Sequence, residues 1–256
     1  MNLDPAGNLH LLKPELREVL SRVCGLIAAA GGRAWLVGGS VRDLALGEAV
    51  SDLDLEVFGL PADELRACLT AEFELDLVGQ SFGILKLRRW PVDVGLPRRE
   101  AKIGLGHKGF EVHSDPDMSL PDAAARRDFT INAVYLDPLS GEIADPWAGL
   151  KDLGNGLLRH TSPAFAEDPL RVLRAMQLAA RFELTVAPAT IALCRDIAPE
   201  DLPGERIWAE WVKLITLGRR PSLGLKFLHE SGWLVHFPQL EALRGCPQDP
   251  TYHPEG

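Results

Sequence analysis

The sequence lacks the long apolar run that a membrane-spanning helix needs. Such a helix requires about 20 consecutive apolar residues, and no comparable run occurs in the 256 residues. The amino-terminal stretch MNLDPAGNLHLLKPELREVL has neither the basic start nor the apolar core of a secretory signal. We therefore expect a cytoplasmic globular protein with no membrane partner.

Cysteine clusters and a basic excess are also missing. The four cysteines are Cys24, Cys68, Cys194 and Cys246. They show neither C-x-x-C spacing nor a cysteine–histidine cluster, so we interpret them as reduced thiols of the core. A formal net charge of −9 argues against binding nucleic acid by bulk electrostatics. An RNA ligand would need particular basic residues to hold it.

The two halves of the chain differ in their hydrophobic patterns. The first half predicts an α/β or α+β sheet domain, and the second half predicts helices alone. Strands are predicted at AWLV (34–37), DLDLEVF (52–58), GILKLRR (83–89), PVDVGL (91–96) and FTINAVYL (129–136), the third and fourth forming a hairpin. Helices are predicted from residue 14 to the Gly31–Gly32 stop, and over 61–73, 167–182, 189–198, 205–218 and 221–233.

Two carboxylates interrupt the second predicted strand. Because side chains alternate along a strand, Asp52 and Asp54 share one face while Leu53 and Leu55 share the other. Two anionic groups held side by side are costly to bury in a protein core, and they are well placed to bind a metal ion. The alternative is a half-buried strand with a solvated acidic face.

A glycine turn precedes these carboxylates. In LVGGSVRD, Gly38, Gly39 and Ser40 follow an apolar strand. Glycines allow a backbone to approach a phosphate closely, although a plain strand-to-helix turn has the same sequence. A phosphate-binding turn close to a D-x-D pair suggests a nucleoside triphosphate with Mg²⁺, which prefers carboxylate and phosphate oxygens.

Polar residues also interrupt the apolar segment RRDFTINAVYL (126–136). Asp128 could accept hydrogen bonds from ribose hydroxyls, and Arg126 and Arg127 could bind phosphate or sugar. The alternative is a charged strand cap at which Asn132 turns the chain. Such a conflict with the local pattern is where function is expected.

The segment EDPLRVLRAMQLAARF combines a carboxylate with two arginines. Asp168 before Pro169 is typical of a helix N-cap. Arg171 and Arg174 follow over the same turn and a half of the helix. A carboxylate can accept from the amino group of cytosine or adenine while an arginine donates to the neighbouring ring atom. Such a pair would accept CTP and ATP and reject UTP and GTP.

Together with ERIWAEWVKLI, these segments resemble, in order and spacing, the signature motifs of the bacterial and eukaryotic (class II) tRNA nucleotidyltransferases, or CCA-adding enzymes, and of the related poly(A) polymerases. The resemblance covers residues from about 33 to 217. It implies an α+β fold: a polymerase-β-type nucleotidyltransferase head, which is a mixed β-sheet with flanking helices, followed by an all-α neck that selects the nucleotide.

The resemblance also implies a role for each motif residue. Asp52 and Asp54 would hold two Mg²⁺ ions for attack of an RNA 3′-hydroxyl on the α-phosphorus of a triphosphate. Asp93 is a candidate third carboxylate, and a surface strand residue is its alternative. The triphosphate would be bound by Gly38, Gly39, Ser40 and Arg42. The ribose would be bound by Arg127, Asp128 and Asn132. The base would be selected by Asp168, Arg171 and Arg174, with support from Glu167.

The same resemblance divides the chain into domains. It predicts a head over residues 1–148, a helical neck over 149–232 and the start of a helical body over 233–256. The family's relatives continue into further helical domains, so we expect a truncated chain or a short form. The segment 97–119, rich in glycine and basic residues, is expected to be a flexible loop. In the family such a loop accompanies full CCA or A addition.

Several activities fit the motifs. Addition of CCA, or of its terminal A, to tRNA from CTP and ATP is the first. The alternatives are a poly(A) polymerase that tails RNA with ATP, and a specialist that adds only CC or only A. The expected partners are the tRNA 3′ end, CTP and ATP, and no protein partner is implied.

Overall fold

The computed structural model describes residues 3–76, 84–102, 110–200, 202–246 and 251. The chain forms two compact units. They are Met1–Asn155 with Arg159–Phe165, and Gly156–Leu158 with Ala166–Gly256.

The first unit is built on a mixed β-sheet. The strands in the described part of the chain are β1 (Arg33–Val37), β2 (Leu53–Phe58), β3 (Leu75–Asp76), β4 (Ile84–Leu87), β5 (Val92–Gly95), β6 (Arg98–Lys102), β7 (Phe110–Ser114), β8 (Tyr135–Leu136), β9 (Ile143–Ala144), β10 (Leu157–Leu158) and β11 (Thr185–Val186). Seven of these form one sheet in the order β3-β4-β5-β2-β1-β8-β9. The β2 and β5 strands run parallel, and the other neighbours in this sheet are antiparallel.

Helices flank this sheet and make up most of the second unit. They are α1 (Pro14–Ala29), α2 (Gly39–Ala45), α3 (Ala62–Thr70), α4 (Leu120–Ala125), α5 (Gly149–Gly154), α6 (Leu170–Phe182), α7 (Pro188–Arg195), α8 (Gly204–Leu217), α9 (Pro221–Glu230) and α10 (Pro238–Glu241). Within the described ranges, no helix is long and apolar enough to cross a membrane.

The two faces of the sheet differ. On one face, Leu53, Leu55 and Val57 of β2 are buried in the main core with residues of α1 and α3. The intervening Asp54 is exposed, and Glu56 is partly exposed. The predicted alternation is therefore confirmed from Leu53 onward, whereas Asp52, which was predicted to share the face of Asp54, lies just before the strand. The alternation leaves the acidic residues of β2 on the face opposite the main core.

The predicted strand over 129–136 is largely wrong. A 3₁₀ turn covers Thr130–Asn132, and only Tyr135–Leu136 is a strand. The carboxylate of Asp128 accepts from the backbone amide of Phe129 at 2.8 Å and from the side-chain amide of Asn132 at 2.9 Å. Short polar side chains that bond locally in this way compete with strand pairing.

The loop expected over 97–119 is also wrong in part. Residues Arg98–Lys102 pair with Phe110–Ser114 as an antiparallel ribbon. A two-stranded ribbon needs only backbone pairing, so its charged composition does not exclude it. His107 and Lys108, part of the same expected loop, lie outside the described residues.

The second unit is helical apart from the two-residue pairing of β10 with β11, which the sequence pattern did not indicate. Its α6 helix is buried along much of its length. Cys194 is buried in this unit, and burial raises the pKa of its thiol to about 12. Cys246 is exposed, so the interpretation of every cysteine as a core thiol is wrong for that residue.

Candidate active site

The register of the sheet places carboxylates next to each other. Asp54 of β2 lies opposite Val37 of β1 on one side and opposite Asp93 of β5 on the other. Residues directly opposite in neighbouring strands point to the same face. Asp52 is exposed just before β2, and its Oδ1 accepts from Ser51 Oγ at 2.7 Å. The sheet thus presents Asp54 and Asp93 side by side.

A pocket of about 220 Å³ opens over these strands. Its charged lining consists of Asp54, Glu56, Asp93, Arg98 and Arg127. Acidic residues from two neighbouring strands therefore face arginines from two other segments. A pocket with both charges can bind a cation and an anion together, as a metal–triphosphate complex requires.

The carboxylates disfavour each other's charge. The pKa of Asp54 is raised above its ordinary value of 3.8, first because the surrounding protein partly shields its carboxyl from water. The positive charge of Arg127 lowers this pKa, whereas the negative charges of Asp52 and Asp93 raise it further. A divalent cation bound between carboxylates would relieve this repulsion.

Asp93 already has a cationic partner. Lys86, opposite it on β4, pairs with its Oδ2. This hydrogen bond is the main cause that raises the pKa of Lys86. A metal ion would have to displace the ammonium group to gain Asp93 as a ligand. The role of Asp93 in metal binding stays a prediction.

Asp52 and Asp54 suit the way in which Mg²⁺ is usually held. Among the residues that the structure describes, no three histidine, cysteine, aspartate or glutamate side chains form a ready metal cage. Mg²⁺ does not need one, since it commonly binds one or two carboxylates together with substrate phosphates. The donor set is therefore compatible with the expected cation.

The glycine turn lies beside this pocket. Gly38 has φ 74° and ψ −140°, a conformation that side chains disfavour. A Cβ added there would be 3.4 Å from Nη1 of Arg127 and 3.6 Å from Oδ2 of Asp54. Gly38 thus keeps the backbone close to both charged groups, and Gly39 begins helix α2.

Ser40 ties this turn to the strand that carries Asp54. Its buried hydroxyl donates to the carbonyl oxygen of Val37 at 3.3 Å and accepts from the backbone amide of Asp54 at 3.5 Å. The structure therefore gives Ser40 a local bonding role. Its predicted contact with triphosphate stays a prediction.

Arg42, Asn132 and Asp128 form a buried network. Nη1 of Arg42 donates to Oδ1 of Asn132 at 2.8 Å, and Nδ2 of Asn132 donates to Asp128 at 2.9 Å. Arg42 also pairs with Asp43 at 2.7 Å. The structure thus brings three predicted nucleotide-binding residues together, but none of them lines the 220 Å³ pocket.

Arg127 does line that pocket, with two partners that the sequence pattern missed. Its Nη2 donates to Oε2 of Glu56 at 3.2 Å, and its Nε donates to the hydroxyl of Tyr135 at 3.3 Å. Burial alone would lower the pKa of Arg127, but attraction to Glu56 and the bond with Tyr135 raise it overall. Glu56 could have been found in the sequence, since it follows Asp54 by two positions on a strand.

The second unit holds the predicted base-selecting residues. Oδ1 of Asp168 accepts from the backbone amide of Leu170 at 3.0 Å at the start of α6, and Oδ2 accepts from Nη2 of Arg206 at 2.9 Å. Asp168 thus accepts from the first helical amide as a cap does, although the N-cap position is Pro169 and the helix begins one residue later than an N-cap at Asp168 predicts. Arg171 and Arg174 are partly exposed on the same helix. Arg206, on α8, was not among the predicted site residues.

Two family models match separate stretches of the chain. Residues 34–159 match the family described as "Poly A polymerase head domain", and residues 183–243 match "Probable RNA and SrmB-binding site of polymerase A". The "Multifunctional CCA protein" of Xanthomonas campestris is 40% identical over 231 residues, and that of Nitrosococcus oceani is 41% identical over 228 residues. These alignments cover 87% and 86% of this chain but 55% and 54% of the relatives. The chain thus spans about half the length of the curated relatives that it matches.

Solved structures show the same fold. The Bacillus stearothermophilus CCA-adding enzyme in complex with CTP matches with a TM-score of 0.72 and 28% identity, over 86% of this chain and 53% of that chain. The Thermotoga maritima CCA-adding enzyme complexed with tRNA matches with a TM-score of 0.73 and 23% identity, over 92% of this chain and 56% of that chain.

The fold is that of a nucleotidyltransferase head followed by a helical neck, as the resemblance implied. The chain belongs to the family of class II tRNA nucleotidyltransferases and poly(A) polymerases.

Proposed function

We propose that this chain adds CCA, or its terminal A, to the 3′ end of tRNA from CTP and ATP. The observation that carries the proposal is the pocket in which Asp54 meets Arg127 beside the Gly38 turn. Carboxylates, an arginine and a glycine turn without side chains are the groups that a magnesium-bound triphosphate needs. The names of the relatives support tRNA as the acceptor.

In the proposed reaction, Asp52 and Asp54 hold two Mg²⁺ ions. When bound, these ions supply Lewis acidity that lowers the pKa of the RNA 3′-hydroxyl and neutralises charge on the triphosphate. The backbone of Gly38 and Gly39 contacts phosphate oxygens, and Arg127, whose Nη1 faces the Gly38 turn, donates to the nucleotide.

The buried network provides the rest of the nucleotide contacts in this proposal. Asp128 and Asn132 bind the ribose. Arg42 and Ser40 hold the glycine turn in place through their hydrogen bonds to Asn132 and to the backbone of Asp54. The hydrogen bonds of the structure favour such a support, because Arg42 links helix α2 directly to Asn132. A rigid network keeps binding groups in position and so lowers the entropic cost of catalysis.

Base selection is assigned to the neck. Asp168 accepts from the amino group of cytosine or adenine, and Arg171 donates to the adjacent acceptor, with Arg174 in support. The existing bonds of Asp168 leave this possible, since each carboxylate oxygen can accept two hydrogen bonds. UTP and GTP present a carbonyl at that position and would be repelled.

We propose that the chain consists of a head over residues 1–148, a neck over residues 149–232 and the start of a body over residues 233–256.

Tailing of generic RNA with ATP is the second candidate. It is favoured by the family descriptions, which name poly(A) polymerase for both matched segments. It requires the same pocket and the same chemistry. The two candidates differ only in acceptor and nucleotide choice.

The test supplies Mg²⁺ and tRNA transcripts that end before the CCA sequence, after CC, or complete, with each triphosphate alone and with all four together. Addition of C, C and A followed by a stop supports the proposal. Addition of A alone to the CC-ended transcript identifies an A-adding specialist, and unlimited A addition to unrelated RNA supports the second candidate. Binding of CTP or ATP without any transfer would contradict catalysis by this chain alone.

A further inference from the structure

Glu56, Tyr135 and Arg127 form a closed triangle of hydrogen bonds at the edge of the pocket. The hydroxyl of Tyr135 donates to Oε2 of Glu56 at 2.7 Å, and the same oxygen accepts from Nη2 of Arg127 at 3.2 Å. Nε of Arg127 donates to the Tyr135 hydroxyl at 3.3 Å. Each member is therefore bound to both of the others.

Packing fixes the position of the triangle. Tyr135 is fully buried, and its ring makes edge-on contacts with Trp35 and Phe58 at centroid distances of 6.3 and 6.4 Å. The guanidinium of Arg127 lies 5.3 Å from the centre of the Tyr135 ring. A buried aromatic ring in such contacts has little freedom to turn. The hydroxyl is thus a fixed point for Arg127.

The triangle determines the direction of the remaining nitrogen of Arg127. A guanidinium is planar, so fixing Nε and Nη2 also fixes Nη1. Nη1 takes no part in the triangle. It lies 3.4 Å from the point that a Cβ on Gly38 would occupy, and Oδ2 of Asp54 lies 3.6 Å from the same point. The third nitrogen therefore faces the glycine turn.

We propose that Glu56 and Tyr135 are positioning residues that hold Arg127 so that its Nη1 binds the triphosphate of the incoming nucleotide. This inference rests on the proposed nucleotide transfer and assigns roles to two residues that lie within the motif segments but were not among the predicted site residues. Glu56 also offsets the charge of the half-buried arginine, whose side chain is 22% exposed. The triphosphate is common to CTP and ATP, so the triangle affects both nucleotides equally.

The first test measures binding of CTP and of ATP, with Mg²⁺ and without RNA, to the whole chain and to the variants Tyr135→Phe and Glu56→Gln. Each variant should raise both dissociation constants by the same factor, about threefold to tenfold, as expected for the loss of a supporting hydrogen bond. KM for the nucleotides should rise with them, and the choice among the four triphosphates should not change.

A double-mutant cycle separates positioning from general destabilisation. If Tyr135 acts through Arg127, then Tyr135→Phe should weaken nucleotide binding no further in an Arg127→Lys background. The matched control is Glu142→Gln, which breaks a pair between Glu142 and Arg33 elsewhere in the head. It should leave both dissociation constants unchanged. Additive effects of the two pocket substitutions would overturn the proposal.

A readout without nucleotide keeps the inference distinct from the proposed function. The Nε–H group of Arg127 should give a protected nuclear magnetic resonance signal that exchanges faster in Tyr135→Phe and Glu56→Gln. An unaltered signal would overturn the positioning role even in an active enzyme. If the unmodified chain binds neither CTP nor ATP, the proposed function and the triphosphate contact fail, and this signal still decides whether the triangle holds Arg127.

Discussion

The head and the neck hold their functional carboxylates in different ways. In the head, Asp54 is positioned by strand alternation and by its register with Val37 and Asp93. In the neck, Asp168 is positioned by a helix cap and an ion pair with Arg206. The charge of the head carboxylate is disfavoured first by partial burial and then by the neighbouring carboxylates, whereas both oxygens of the neck carboxylate have donors. Removal of charge should therefore relieve the first, whereas loss of the acceptor oxygens should destabilise the second.

Replacement of Asp54 by asparagine should have the largest effect on nucleotide transfer. It removes a metal-binding charge and keeps the side-chain size, so we expect nucleotide transfer to fall by about a thousandfold or more. The measurement is single-nucleotide addition to a tRNA transcript. Asp63→Asn on helix α3, where Asp63 is exposed, is the matched control and should keep full activity. Retained transfer in Asp54→Asn would refute the metal-site assignment.

The same variant should not lose stability. Because the pKa of Asp54 in the folded chain is raised, its contribution to stability is present at acid pH and is lost as the pH rises through that pKa. At neutral pH without metal, ionised Asp54 therefore lowers the free energy of unfolding. We expect Asp54→Asn to melt at the same or a higher temperature than the unmodified chain in chelator. A lower melting temperature would contradict the raised pKa that burial and the neighbouring carboxylates give to Asp54.

Gly38→Ala tests the turn beside Asp54. The φ of 74° and ψ of −140° are strained for alanine, and we expect a loss of about 1–3 kcal/mol in the free energy of unfolding. Gly25→Ala is a control of opposite sign. Gly25 lies in the middle of α1, and a Cβ added there would have no neighbour within 4 Å. Alanine at this position should therefore stabilise the chain by about 0.5–1 kcal/mol. Urea unfolding measures both, and equal effects would show that the turn has no special conformation.

The elements that depend on local pattern were predictable from the sequence. The alternation in β2 predicted its exposed acidic face, and the short connection between β4 and β5 predicted their hairpin, which the structure confirms. The 3₁₀ turn at Thr130–Asn132 was not predictable from apolar pattern. Its cause is the side-chain bonding of Asp128, which competes with strand pairing.

The partners of the site residues were harder to predict, because they depend on long-range packing. Glu56 contacts Tyr135 across 79 positions of the sequence, and Asp168 contacts Arg206 across 38. Neither pair has a local spacing that reveals it. The pairing of Asp93 with Lys86 follows from sheet register, which strand boundaries from sequence do not fix.

In the neck, Asp168→Ala should loosen the choice among the four triphosphates by about 1–3 kcal/mol, the usual value of a bidentate base contact. It should also lower the free energy of unfolding by about 1 kcal/mol, because the amide of Leu170 loses its acceptor. Asp168→Asn keeps an oxygen for that amide, so it should retain stability and lose selectivity. Misincorporation of UTP and GTP is the readout. Unchanged selectivity in both variants would leave Asp168 with only its capping role.

Arg206→Met should have the smallest effect. The pair with Asp168 is partly exposed, with side chains 39% and 30% accessible, so its loss should cost no more than about 1 kcal/mol of stability. Arg22→Met, which breaks an exposed pair with Glu72 in the head, is the control for a generic surface pair. If the ion pair orients Asp168 for the base, Arg206→Met should raise misincorporation of UTP and GTP, whereas Arg22→Met should not. Equal fidelity in the two variants would show that the helix cap alone positions the neck carboxylate. Sheet register would then position the carboxylate of the head, and helix capping would position that of the neck.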